Sequence, residues 1–388
     1  MAFLAVIGCP RAEAAVTFPL EARWSATLPA APAFAPAFDA DRIYVPLQTK
    51  QLVALTINDG SVAWSVECPL TAPPAAGDGL VYGGSEDLVE ARGGTDGSAQ
   101  WRRPVPGRVV SLHWDAGWLF AQTEPGVFFA IRASDGTILW QKDFGSPLSA
   151  PPAPAGERLY LPLEDGRVVA LALQTGEDIW THKLEESAAG ILPVGDRVFI
   201  GARDNQFHSL SAEDADADWR WRTGADLLGL PVLDAKRVYF VALDNILRGH
   251  DRNSGSMVWK QVLPVRPFKA GPILSGETLI VSGVAAQLHA YNAPDGKPAG
   301  SHEVKGAENE EMLLAAPPHL TAQDSLILVT RGGQVRALAG GPAAPTPPAP
   351  PAPDAPPAPG PDAGVAGTAA PAAAGGSAPS SGAASPEP

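Results

Sequence analysis

A small residue, a glycine six positions later and a tryptophan four after that recur along this chain at intervals of about 40 residues. The stretch VVALALQTGEDIW, residues 168–180, shows the pattern in full, with Ala170, Gly176 and Trp180. The small position is filled by Ala54, Ala91, Ala130, Ala170, Ser209, Gly249 and Ala290. The glycines are Gly60, Gly97, Gly136, Gly176, Gly255 and Gly296, with Ala215 in the fifth place. Trp64, Trp101, Trp140, Trp180, Trp219 and Trp259 follow, and Gly300 stands in the last copy. The residue before the glycine is most often Asp. Asp-Gly between apolar runs signals a hairpin, because the turn needs a positive φ.

Upstream of each small residue lies a second short apolar run: RIYVPL, GLVYGG, GWLFAQ, RLYLPL, RVFIGA, RVYFVA, TLIVSG and SLILVT. These make eight units. The eighth continues through Ala337 and stops without a tryptophan strand. A strand that can complete it stands at the other end, EARWSATL, which carries Trp24. Short strands repeated at this period predict an all-β, eight-bladed β-propeller closed by the N-terminal strand. Such a closure leaves no open sheet edge at the junction. In this reading the small residue lets neighbouring blades approach. The glycine presents bare backbone, and a tryptophan of the adjacent blade lies flat across it. Trp24, Trp64, Trp101, Trp140, Trp180, Trp219 and Trp259 are expected to dock blade to blade, each worth on the order of 3 kcal/mol.

The Ala-x5-Gly-x3-Trp pattern resembles the tryptophan-docking repeat of pyrroloquinoline-quinone (PQQ) type propellers, over residues 21–339. WD-type propellers carry Gly-His and Trp-Asp pairs at set places, and this chain does not fit them. Quinone-dependent dehydrogenases of the resembling family are longer, with adjacent cysteines and a calcium site. No adjacent cysteines and no Cys-x-x-Cys-His motif occur here, so an enzyme ranks third and no cofactor is expected. In size the chain is similar to the propeller lipoproteins of outer-membrane β-barrel assembly. That likeness implies a non-catalytic scaffold, a monomeric propeller whose loops meet protein partners in the outer-membrane barrel assembly machinery. A soluble periplasmic or surface propeller of the same family, with another ligand or partner, is the alternative.

The formal net charge is -14 over 388 residues, and Lys and Arg are scattered singly. A nucleic-acid partner is therefore not expected, since phosphate neutralisation needs a basic face. With only two cysteines, Cys9 and Cys68, and no Cys-x-x-Cys, a thiolate zinc site or a disulfide framework is not expected. No stretch reaches the ~18 apolar residues of a spanning helix. Residues 1–15 read as a signal-like segment. Val6-Ile7-Gly8-Cys9 resembles a lipobox, which makes Cys9 a lipid attachment site and the membrane a partner only through that anchor. Ala12-Glu13-Ala14 resembles a cleavage site, the competing reading; both imply export, and the bland alternative is an unprocessed cytoplasmic start. Residues 16–340 are assigned to the propeller. From Gly341 to Pro388 there are 15 prolines and no aromatic residue, Lys or Arg. That composition predicts a disordered tail over 341–388.

Other candidate sites are weaker. Asp214, Asp216 and Asp218 alternate as in a calcium loop, but the glycine and closing Glu of such a loop are absent; a solvated hairpin tip is expected. His208 and His289 hold matching places in blades five and seven and would be ligands only if they converged near a channel. Cys68 reads as a small buried hydrophobe. The longest acidic link, KGAENEEM at residues 305–312, carries Glu308, Glu310 and Glu311 and is the expected partner loop, because functional sites concentrate on loops.

Overall fold

The structure, a computed structural model, describes residues 15–124, 126–268, 270–306 and 312–341. Its strands form eight four-stranded antiparallel sheets, the blades of a propeller ring, and no helix occurs among the described residues. Blade four is representative. From the axis outward it runs Ala153–Ala155, Arg158–Pro162, Arg167–Ala172 and Asp178–Lys183. Blade eight combines His319–Leu320, Ser325–Val329 and Gln334–Gly340 with Leu20–Thr27 as its outermost strand. Leu20 lies opposite Gly340 and Thr27 opposite Gln334. The ring thus closes through a split blade. The segment expected to be a lipobox and the Pro-rich stretch beyond Gly341 lie outside the described residues.

The two middle strands of each blade are sandwiched between neighbouring blades. They therefore read as continuous apolar runs rather than alternating ones; Ile43, Tyr44 and Val45 are all fully buried. Outermost strands face solvent on one side and alternate, as Ile138–Asp143 does. The core is divided among the joints. One cluster joins Tyr160, Val168, Ala170 and Trp180 of blade four to Ile191, Val198, Ile200 and Leu210 of blade five.

Because consecutive strands are antiparallel, the ring has two chemically distinct faces. One, the linker face, carries the links between blades and the turns joining second to third strands. The other, the turn face, carries the remaining hairpin turns. The Asp-Gly pairs sit on the turn face in five-residue loops. In blade one the Asp59 carboxylate accepts the Ser61 N–H at 2.9 Å, and the Gly60 N–H donates to the Thr56 carbonyl. Asp96, Asp135, Asp214 and Asp295 accept the N–H two residues on in the same way, a local turn that Asp favours.

Candidate interaction face and blade docking

Each docking tryptophan reaches the next blade. The ring of Trp101 lies against Gly136, so that an added Cβ there would stand 2.6 Å from Cε3. Trp24, Trp64, Trp140, Trp219 and Trp259 lie in the same way on Gly60, Gly97, Gly176, Gly255 and Gly296. Gly136 has φ +70°, a backbone conformation that side chains with a Cβ disfavour. The indole N–H adds a bond invisible in the repeat itself. Trp64 donates to the Gly94 carbonyl at 2.7 Å, Trp101 to Ala133 at 2.9 Å and Trp140 to Leu173 at 2.8 Å. Trp180 follows suit on Ala212 at 3.0 Å, although Ala215 replaces the glycine in that blade. Each acceptor lies three residues before the docking position.

The small column also makes room within its own blade. Ala54 sits between Tyr44 and Trp64 in one cross-strand row. The two rings close over it, 5.8 Å between centroids. Tyr160, Ala170 and Trp180 repeat the arrangement, as do Tyr239, Gly249 and Trp259. The small residue therefore makes room for two aromatic side chains of its own blade. The tyrosine column went unread, although the Tyr in RIYVPL, RLYLPL and RVYFVA was its signal.

Gly300 leaves the joint between blades seven and eight without a tryptophan. Phe18 packs against Gly300 instead. Val16 and Leu20 are buried beside it with Leu288, Val304, Leu326 and Leu338.

The remaining candidate residues do not form a ligand set. His208 and His289 lie on the third strands of blades five and seven, with blade six between them. His208 Nε2 is 3.3 Å from Asp204 Oδ2. The three aspartates of blade five diverge. Asp214 accepts the Asp216 N–H, whereas Asp218 pairs with Arg197 at 3.3 Å. No group of three His, Cys, Asp or Glu side chains suited to a metal occurs among the described residues. Cys68 is buried, and its thiol donates to Glu90 Oε1 at 3.2 Å. Burial first, and the Glu90 carboxylate second, push the thiol up to about 12, so it stays protonated and a poor nucleophile. Burial pushes Glu90 up, but the Cys68 thiol, Arg92 and Arg102 outweigh it and hold the carboxyl below its ordinary value. Cys9, Glu308, Glu310 and Glu311 lie outside the described residues.

The linker face opens into a cavity of about 820 Å³ near the axis, bounded by links and inner strands of blades four to eight. Its walls are mainly apolar, with Leu227, Leu228, Leu230, Leu243 and Ile273, and with Arg203 and Asp226 as the charged members. Arg203 is steered by Ser187 Oγ at 2.8 Å and Glu164 at 3.3 Å. An irregularity shapes the cavity. The inner strand of blade six, Leu227–Leu233, loses register between Leu228 and Val232. Gly229 there has φ +55°, and its backbone is wedged against Gly190 of blade five and Gly271 of blade seven. The wedge turns Leu230 outward, 43% exposed. Val284 and Leu313, on the same face in blade seven and the following link, are exposed as well. These residues were not singled out in the sequence; glycine beside proline in AAGILPV, DLLGLPVL and KAGPIL was the available signal.

Comparison with known proteins gives this architecture a lineage. A curated relative, outer membrane protein assembly factor BamB of Yersinia pestis, is 24% identical over 281 residues, 68% of this chain and 70% of its own length. The BamB of Burkholderia pseudomallei is 25% identical over 248 residues, 58% of this chain and 63% of its own length. Among solved structures, BamB from Moraxella catarrhalis superposes with TM-score 0.66 at 17% identity, covering 83% of this chain and 98% of its own. A computationally designed protein, Ika8, superposes as well, with TM-score 0.68 at 11% identity over 82% of this chain and 99% of its own. Structural likeness at these identities therefore speaks for the fold alone. The family model described as outer membrane protein assembly factor BamB matches in four overlapping stretches, residues 21–112, 85–194, 164–264 and 243–341. Matched across nearly all of its described ring, the chain belongs to the family of the outer membrane protein assembly factor BamB.

Proposed function

We propose that this protein is a non-catalytic scaffold in outer-membrane β-barrel assembly, and that its linker face receives a protein partner from that machinery. The carrying observation is the fourfold family match along residues 21–341. The geometry supplies the face. A rigid ring with a docking tryptophan at seven of its joints holds an apolar cavity and the exposed Leu230 in fixed positions, and interfaces use such apolar anchors set in pockets. The proposal extends to the acidic segment with Glu308, Glu310 and Glu311, which follows Pro298–Glu303 and precedes His319–Leu320 in the sequence. Export and lipid attachment at Cys9 complete the reading and place the protein at the outer membrane facing the periplasm.

An affinity pull-down of tagged protein from its native envelope, read by mass spectrometry, tests this. Recovery of barrel assembly components with the parent protein, and their loss with Leu230→Arg of unchanged thermal stability, is the expected result. Recovery of an unrelated protein set would move the function to a soluble propeller of the family with another partner.

A further inference from the structure

We infer that the ring is held with its turn face toward the lipid surface and its linker face, with the cavity, away from it. The inference rests on the lipid attachment at Cys9 proposed above, and adds the orientation that the ring imposes on such an anchor.

The chain enters the ring at a fixed place. Ala15 lies against Gly276, in the turn between the first two strands of blade seven. Val16 is buried and donates its N–H to the Ser275 hydroxyl at 3.0 Å. Thr17 lies against Gly340, and Phe18 covers Gly300. Leu20 then begins the closing strand. Gly276, Gly300 and Gly340 all stand at the turn-face end of their strands, so the arm is sealed into the one joint without a tryptophan and leaves the ring on that face. The last described residues, Gly340 and Gly341, end there as well.

Six residue steps separate Cys9 from Ala15. At full extension they reach roughly 20 Å. Crossing from the turn face to the linker face uses up that length, because a six-residue strand rises about 20 Å and its loops add more. A lipid on Cys9 therefore cannot bring the linker face to a bilayer, whereas the turn face is within reach. Charge sets the standoff. The turn hydroxyls and backbone N–H groups hold Asp59, Asp96, Asp135 and Asp214 below the usual carboxylate range, so these tips stay negative and are repelled by anionic headgroups. That repulsion fades over a Debye length of about 8 Å at physiological salt, shorter than the tether. The turn face consequently stands near the bilayer without inserting, and the cavity remains open to partners.

The test uses the full-length lipidated protein on vesicles of phosphatidylethanolamine and phosphatidylglycerol with acceptor-labelled headgroups. Fluorescent donors are placed at Glu213→Cys or Lys236→Cys on the turn face, and at Glu86→Cys or Glu164→Cys on the linker face; all four positions are exposed and Cys68 is buried. Energy transfer about two-fold greater from the turn-face donors is expected, because the faces differ in height by at least the ~20 Å of a strand. A Gly-Ser spacer of about 20 residues between Glu13 and Ala14 should erase the difference while attachment persists. Equal transfer, or greater transfer from the linker face, on vesicle-bound protein overturns the orientation and leaves the anchor standing. Vesicle binding that is unchanged in Cys9→Ser overturns the anchor and the orientation together.

Discussion

Replacing Gly136 with alanine separates the docking of a tryptophan from backbone strain, provided Gly79 is replaced in parallel. The two glycines share a conformation, φ +70° and +74°. Alanine at either therefore meets the same left-handed backbone cost, about 1–2 kcal/mol. Their surroundings differ. A Cβ on Gly79 meets nothing within 4 Å, whereas one on Gly136 would stand 2.6 Å from Trp101 Cε3. The indole must shift, and its 2.9 Å bond to the Ala133 carbonyl is disturbed with it. Overpacking of this kind costs about 1–3 kcal/mol, and a hydrogen bond contributes about 1 kcal/mol net. Gly136→Ala should thus cost about 3–6 kcal/mol in total, and Gly79→Ala only the shared backbone part. Urea unfolding followed by circular dichroism, with equal m-values, reads both. The difference, about 2 kcal/mol or more, is the docking contribution. Two variants destabilised equally, within about 0.5 kcal/mol, would refute the argument that the bare glycine exists for the ring. Ala215, already an alanine at φ +66°, completes the set: Ala215→Gly should be neutral or stabilising by up to about 1 kcal/mol, since it relieves strain and costs chain entropy.

Three further outcomes are expected. His113, His182, His250, His289, His302 and His319 are all held below the ordinary imidazole value by burial; the unfolded chain therefore binds more protons below about pH 6.5, so stability is full above that value and is lost as pH falls. The melting temperature should drop steadily from pH 7 to pH 5, and a flat profile would contradict this. Phe18→Ala should cost about 1–3 kcal/mol, less than a fully buried phenylalanine, while Val62→Ala on the exposed outer edge of blade one should be near neutral in the same melt. Glu90→Gln strips the charge from a buried carboxylate that holds Arg92 at 2.8 Å and Arg102 at 3.0 Å and should cost about 1–3 kcal/mol, whereas Glu164→Gln at the exposed pair with Arg203 should change stability by less than about 1 kcal/mol.

The ring was legible because its glue is periodic. Gly136 and Trp140 are four residues apart in one blade, and the same pair recurs wherever a joint is made. The split blade was legible for the same reason: Trp24 had no glycine before it, and Ala337 had no tryptophan after it. What each contact does was harder to read. Ala54 reads as a spacer between blades; that it also makes room for Tyr44 and Trp64 on either side of it needs the register of three strands. The indole bonds join residues 30 or more positions apart and depend on how blades stack. The cavity was least legible. Inner strands run from two residues, as in Ala37–Phe38, to seven, as in Leu227–Leu233, so they follow no common pattern. The meeting of Gly190, Gly229 and Gly271 at the axis is a property of three blades at once. Phe18 is outside the repeat altogether, and only the empty place at Gly300 hinted that something must fill it.

Site-specific photo-crosslinking in the native envelope tests the scaffold reading most directly. A photoreactive side chain at Leu230, Val284 or Leu313 on the linker face is compared with one at Glu213 on the turn face. Crosslinks to a component of the barrel assembly machinery from the linker-face positions, with none from Glu213, are the predicted result. Linker-face probes that capture no such component, or a component captured only from Glu213, would contradict a scaffold that works through its cavity face.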